Sequence, residues 1–178
     1  MVTPALPVTP SFRLDGKRAL ITGGGRGIGL AAASALADAG AHVTLAGRNV
    51  DDLEDASLAL CHRGAGCATL PLDIRDTVAM RSALAALAPF DILVNNAGAN
   101  RPGAFLDASE DDFDFVMSLN VRAAFFIAQT IARAMIAAGR RGSIINLSSQ
   151  LGHIGAANRT ISLFASAPNR RMTCAKPL

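Results

Sequence analysis

Thr22-Gly23-Gly24-Gly25-Arg26-Gly27-Ile28-Gly29 is the stretch on which the fold turns. An apolar run at 18–22 leads straight into these glycines, and an Ala-rich stretch of helical period, 27–39, leads out of them. A strand ending in a glycine turn that opens a helix gathers backbone N–H groups and the positive end of the helix dipole at one point. Such a point binds phosphate. Gly23 is free to take a positive φ, Gly27 lets the backbone approach a pyrophosphate, and Gly29 allows close helix–strand packing. The Gly-x-x-x-Gly-x-Gly spacing differs from the stricter Gly-x-Gly-x-x-Gly, and no Gly-Lys-Ser/Thr follows, so the turn is not a P-loop. Glycine clusters also serve plain turns; the strand before and the helix after make this one specific.

Outward from the turn, apolar runs predict further strands at 41–46, 67–72, 90–95 and 143–147. Helical periods lie between them at 50–63, 76–88 and 109–138. Gly40 sits where a left-handed C-cap belongs, and Pro89 stops the third helix. Ser109-Glu110-Asp111-Asp112 fits a capping box, with Asp112 in the reciprocal place. Strands that read as continuous apolar runs between helices imply a parallel sheet covered on both faces. The fold class is therefore α/β, a Rossmann-type doubly wound sheet, here incomplete at the C-terminus: five strands are counted against six in a full sheet. The expected organisation is a flexible arm at 1–13, the Rossmann domain at 14–160 and an atypical tail at 161–178. Residues 161–167 suit one helical turn or a short strand, and no periodicity is visible beyond Pro168. The fifth strand is thus expected to present an uncovered edge, and the long helix an apolar face short of partners.

Composition narrows the function classes. A net charge of +3 spread over scattered Lys and Arg is no nucleic-acid footprint. Cys61, Cys67 and Cys174 match neither a disulfide framework nor zinc-ligand spacing, and read as reduced thiols of a cytoplasmic protein. Residues 1–10 hold three prolines without a basic segment and apolar run, which is not a secretory pattern. No uninterrupted apolar stretch approaches membrane-spanning length.

The end of the second strand is where a dinucleotide-binding sheet reads the ribose. An acid there would accept from the 2′-OH. This chain offers Gly47-Arg48, with Arg26 in the glycine turn. Two guanidiniums suit a 2′-phosphate, so NADP is preferred over NAD. The alternative is that Arg48 is only a solvated surface charge.

Together with the glycine turn, Asn95-Asn96-Ala97-Gly98, Asn120 between Leu119 and Val121, and Ile145-Asn146-Leu147-Ser148-Ser149 resemble the short-chain dehydrogenase/reductase family over residues 14–158. The overall look is similar to the family's ketoacyl-carrier-protein reductases and sugar-acid dehydrogenases. The resemblance implies an oxidoreductase that moves a hydride between NAD(P)(H) and a small carbonyl or secondary alcohol, with self-association through helix 109–138. It implies cofactor contacts from Thr22, Gly23, Gly25, Arg26, Gly27, Ile28, Gly29, Arg48, Asp73, Ile74, Asn95, Ala97 and Gly98. Asp73 would contact the adenine amino group, and Asn95 and Asn96 would stabilise the sheet beside the cofactor. Asn120, whose backbone would hold a proton-relay water, and Ser149, which would position the reacting oxygen, are the implied catalytic residues. The residues support this independently: Asn is a poor helix former, and Ser148 and Ser149 end a parallel strand, where ligands bind.

The family's remaining pair is Tyr-x-x-x-Lys, its Tyr thirteen residues after the serine. Here those positions hold Ser162 and Ser166. The chain has no tyrosine, and its lysines are Lys17 and Lys176. A missing general acid typically costs ~10²–10⁴-fold in rate, so impaired catalysis is expected. His153 is a weak stand-in, and Arg101 is either a contact for an anionic substrate or a solvated charge. The abrupt loss of pattern near Ile161 reads as truncation or a changed reading frame. The alternative function is a non-catalytic dinucleotide-binding module or an inactive fragment.

Overall fold

The computed structural model describes residues 11–152, 158–166 and 172–174. Five parallel strands form the body of the sheet: β1 (Arg18–Thr22), β2 (His42–Gly47), β3 (Cys67–Pro71), β4 (Ile92–Asn95) and β5 (Gly142–Asn146). A three-residue β6 (Met172–Cys174) pairs antiparallel with β5, giving the order β3-β2-β1-β4-β5-β6. The order reverses direction beside β1, which puts the crevice at the C-terminal ends of β1 and β4.

Two apolar layers hold the sheet. Leu20, Leu93 and Ile144 point to one face and pack with Phe90, Met80, Ile127, Ile131 and Met135; Ala19, Ile21, Val43, Leu45 and Val94 point to the other and pack with Ala33, Leu53 and Leu60. Alternation along β1 divides its side chains between the layers. Helices α1 (Gly27–Asp38) and α2 (Val50–Cys61) cover the second face. The first is covered by α3 (Thr77–Ala85) and by a long helix made of α4 (Glu110–Met117), a π-helical stretch at Ser118–Ala123, and α5 (Ala124–Ala137). A short α6 (Thr160–Ala165) packs Ile161 and Ala165 on Val116 of α4.

Caps set the helix ends. Asp76 accepts from the N–H groups of Val78 and Ala79 at the start of α3. Ser109 accepts from Asp112 N, but the reciprocal bond expected of Asp112 goes to the Ser109 hydroxyl, at 2.9 Å, rather than to its backbone. Gly40 takes φ +103° after α1, as its place predicts.

Two expectations are corrected. Strand β6 lies beyond Pro168, where no periodicity was visible, and it covers the β5 edge along Gly142–Ile144. Three antiparallel residues are too short a segment to show a period. The long helix does have a partner for one face: Val116, Leu119, Ala123, Ile127, Ile131 and Met135 are buried at helical spacing. Glu110–Ala137 is long and apolar enough to cross a membrane by length and composition, yet this stripe packs within the fold. Phe113, Val121, Phe125 and Ile136 remain exposed on it. The boundaries expected at 13/14 and 160/161 fall at an extended segment and at the first turn of α6; residues 1–10 and the rest of the tail except 172–174 lie outside the described residues past Ser166.

Candidate functional site

The glycine turn and the Asn95-Asn96-Ala97-Gly98 turn are fastened to each other. Thr22 is buried, and its hydroxyl accepts from Asn96 N and Ala97 N, both at 3.0 Å. The Asn96 amide donates back to Thr22 O at 3.0 Å and Gly23 O at 3.1 Å. Gly23 has φ +64°, and a Cβ there would press on Asn96 and Ala97. A Cβ on Gly29 would collide with the Gly23 carbonyl oxygen, so α1 starts hard against the turn. Gly27 is different: φ is +57°, but nothing lies within 4 Å of where its Cβ would be. The space over Gly27 is open, as close approach of a ligand requires.

That space belongs to a crevice of about 640 Å³ lined by Gly23, Gly25, Arg26, Gly27, Ile28, Gly47, Arg48, Asp73, Ile74, Ala97 and Gly98. The N-terminus of α1 opens into it. Its N-cap, Arg26, makes no side-chain cap, and neither does Asn49 of α2, whereas α3 and α4 are capped by Asp76 and Ser109; what sets α1 apart is the open glycine turn before it. Uncapped N–H groups beside glycines suit a phosphate. Arg26 is 86% exposed in its side chain, with Nε 3.9 Å from Asp52 Oδ2, and Arg48 is exposed on the same wall. Asp73 is held by Arg75, whose Nη2 lies 2.6 Å from Oδ2; this contact keeps the Asp73 carboxyl below the usual carboxylate range, with a smaller push from Arg48.

Next to it lies a cavity of about 380 Å³, sharing Ile28, Asn96, Ala97 and Gly98 with the crevice. Its walls bring together Asn95, Asn100, Asn120, Ser148, Ser149, Ser162 and Ser166. Asn120 lies in the π-helical stretch, a form that recurs at functional sites. Its amide closes on Ala99, accepting from Ala99 N and donating to Ala99 O, both at 2.9 Å. Asn95 donates to Ala124 O at 3.0 Å and to Asn146 Oδ1 at 2.9 Å, tying β4 to the start of α5 and to β5. Ser149 Oγ accepts from Leu151 N at 3.2 Å. Ser148 donates to Ser166 O at 3.0 Å, and Ser162 donates to the Asn100 side chain.

The family model for short chain dehydrogenases matches residues 17–162. The chain belongs to the short chain dehydrogenase family. It is 44% identical over 142 residues to the gluconate 5-dehydrogenase of Gluconobacter oxydans, covering 78% of this chain and 55% of that protein. It is 40% identical over 148 residues to the L-xylulose reductase of Mesocricetus auratus, covering 83% and 59%. Among solved structures, a gluconate 5-dehydrogenase from Burkholderia cenocepacia in complex with NADP and tartrate superposes with a TM-score of 0.82 at 36% identity, covering 88% of this chain and 62% of that one. A short-chain type dehydrogenase/reductase from Mycobacterium marinum gives a TM-score of 0.84 at 35% identity, covering 88% and 64%. The chain thus spans little more than half the length of these curated relatives.

Every residue expected to contact the cofactor lies in this short chain dehydrogenase's crevice or adjoining cavity except two, Thr22 and Gly29, which build the turn from behind. Arg101, expected to be either a substrate contact or a solvated charge, is half-exposed, pairs with Asp112 at 3.7 Å and sits 4.4 Å over the Phe115 ring, and it is not among the residues lining the cavity. His153 lies outside the described residues. Sequence reasoning passed over Asn100 and Asp52, whose partners Ser162 and Arg26 are 62 and 26 positions away in the chain. No local pattern signals such pairs.

Proposed function

We propose that this chain binds a nicotinamide dinucleotide in the glycine-lined crevice, with NADP(H) preferred, and that its family chemistry is hydride transfer to or from a small carbonyl or secondary alcohol. The observation that carries the reading is the uncapped N-terminus of α1, open over Gly27 and flanked by Arg26 and Arg48. Backbone N–H groups and the helix dipole would hold the pyrophosphate; the two guanidiniums would take a 2′-phosphate. Asp73 and Ile74 would border the base. When bound, the dinucleotide supplies or takes up the hydride.

The chain's own contribution in the adjoining cavity is positioning. Ser149 would hold the reacting oxygen, and Asn120 would order the 97–99 turn and the proton path beside it. The polar walls, with Asn100, Ser148 and Ser162, suit a hydroxyl-bearing substrate, in keeping with the sugar-derived substrates for which the relatives are named. The exposed row Phe113, Val121, Phe125 and Ile136 would serve self-association, and a cytoplasmic location fits the free thiols.

A second reading is favoured by Ser162 and Ser166. They line the cavity where the family's tyrosine and lysine would stand, and neither hydroxyl is acidic enough to replace them. On that reading the chain binds the dinucleotide with little or no turnover. Fluorescence titration with NADPH, followed by a turnover assay with small ketoses, separates the two: binding with turnover supports the enzyme, and binding alone supports the module.

A further inference from the structure

A cavity of about 220 Å³ lies between the end of α3 and the second half of α5, and it shares no lining residue with the crevice or the adjoining cavity. Phe90, two residues before β4, forms part of its wall, so it sits toward the N-terminal end of that strand, away from the crevice. Alanines at 85, 88 and 134 leave the gap between the helices, and Leu84, Phe90 and Ile131, all buried, enclose it. The Thr130 hydroxyl in the wall is already engaged, donating to Phe126 O at 2.8 Å. One charged residue lines the cavity, Arg81, which is exposed. Its Cζ lies 5.3 Å from the centre of the Phe126 ring, and that of Arg122 lies 5.2 Å from the same centre. Neither guanidinium is ion-paired with a carboxylate among the described residues, unlike those of Arg13, Arg63 and Arg75, which are paired at 2.6, 2.7 and 2.6 Å. An aromatic face holds a guanidinium without using its N–H donors, so those of Arg81 are left for a partner from outside.

We propose that this cavity is a second ligand site, which takes a compact apolar monocarboxylate: the hydrocarbon body enters the gap left by the alanines, and the carboxylate pairs with Arg81 at the mouth. Size sets the body. A cavity of roughly 150 Å³ lined by Leu, Ile and Phe holds benzene. The space here therefore accepts one six-membered ring or a chain of similar bulk, and it is smaller than the pockets that enclose larger ligands. Charge sets the head group. With Thr130 engaged, a polar group placed anywhere but at Arg81 would be buried without a partner. A cationic ligand would meet two guanidiniums gathered on one ring, whereas a carboxylate is drawn to them and matches the planar fork of Arg81.

The probes are benzoate and its uncharged counterpart benzamide, titrated into the full chain while the methyl resonances of Leu84, Leu87 and Ile131 are followed. Benzoate is expected to shift all three saturably, with a Kd on the order of 1 mM for a ligand of this size. Benzamide should bind about fivefold more weakly, the worth of one ion pair at an open mouth. Arg81→Met keeps an apolar stem beside Phe126 and removes the charge. It is expected to bring benzoate down to the level of benzamide while leaving benzamide within about twofold. Ala134→Leu fills the gap and should abolish the response to both probes, with circular dichroism showing that it is folded. Ala85→Leu, at an exposed lining position, narrows the mouth and gives the same result should the first filled variant fail to fold. Saturating NADPH should leave benzoate binding unchanged. No saturable shift, equal affinity for the two probes, or undiminished binding in a folded, filled variant overturns the proposal. So does displacement of benzoate by NADPH, which would place it on Arg26 and Arg48 of the crevice instead.

Discussion

The side-chain amide of Asn120 makes a two-way hydrogen bond with the backbone of Ala99, 2.9 Å in each direction. This joins the π-helical stretch of the long helix to the loop that leaves β4. It fixes the wall shared by the crevice and the cavity, where Gly98 lies beside Asn120, near enough that an added Cβ would come into contact with its Oδ1. The π-helical geometry places Asn120 there, and the amide is the only side-chain type with a donor and an acceptor in that arrangement.

Asn120→Leu leaves the Ala99 N–H and C=O without partners at a partly buried site. The expected loss is about 2 kcal/mol in urea unfolding, within the usual range for orphaned polar groups. Asn120→Asp keeps the acceptor, loses the donor and falls between. An unchanged midpoint in Asn120→Leu would show that the loop is held by other contacts.

The two glycines of the turn separate folding from binding. Gly29→Ala pushes a methyl into the Gly23 carbonyl and is expected to yield little folded protein. Gly27→Ala meets no atoms but must hold φ +57°, a strain of about 1–2 kcal/mol. It should fold, melt slightly lower and bind NADPH far more weakly, because its methyl enters the open space. Circular dichroism melting and a cofactor titration on the same sample check both halves.

Much of the fold was legible because its signals are local. Continuous apolar runs marked β1 to β5, and Gly40, Pro89 and Ser109 marked helix ends. What was not legible depends on distant partners. Strand β4 starts at Ile92 rather than at Phe90; just before it, Asp91 accepts at its buried carboxylate from Arg18 N at 3.0 Å, with Lys17 and Arg140 each 3.7 Å away, contacts that spacing does not reveal. Strand β6 exists by pairing with β5, not by its own pattern. Within the site, the glycines, Asn120 and Ser149 could be found from residue type and place. The Arg75 fork on Asp73, Arg101 on Phe115 and the Asn100–Ser162 bond could not, since spacing does not show which way a side chain turns.

Ser162 and Ser166 allow a gain-of-function test. Ser162→Tyr with Ser166→Lys puts a phenol and an ammonium on the cavity wall facing Ser149. If their absence limits turnover, the double variant should oxidise NADPH with a small ketose at least ~10²-fold faster than the unaltered chain. Equal rates, with both proteins folded and binding NADPH, would show that something other than the acid is missing.

The thiols give a check on packing near β3. Cys61 is exposed at the end of α2, whereas burial raises the Cys67 thiol above its ordinary range. Iodoacetamide near neutral pH should label Cys61 several-fold faster than Cys67, read peptide by peptide by mass spectrometry. Equal labelling would mean that β3 is open to solvent.

The crevice between Arg26 and Arg48 is expected to hold a phosphorylated dinucleotide. Its most direct test is equilibrium titration of the full chain with NADPH and with NADH at fixed ionic strength, repeated with Arg48→Ala. Saturable binding of both ligands is expected, with NADPH about tenfold tighter and most of that margin lost in Arg48→Ala. Tighter binding of NADH, or no saturable binding of either, would contradict it.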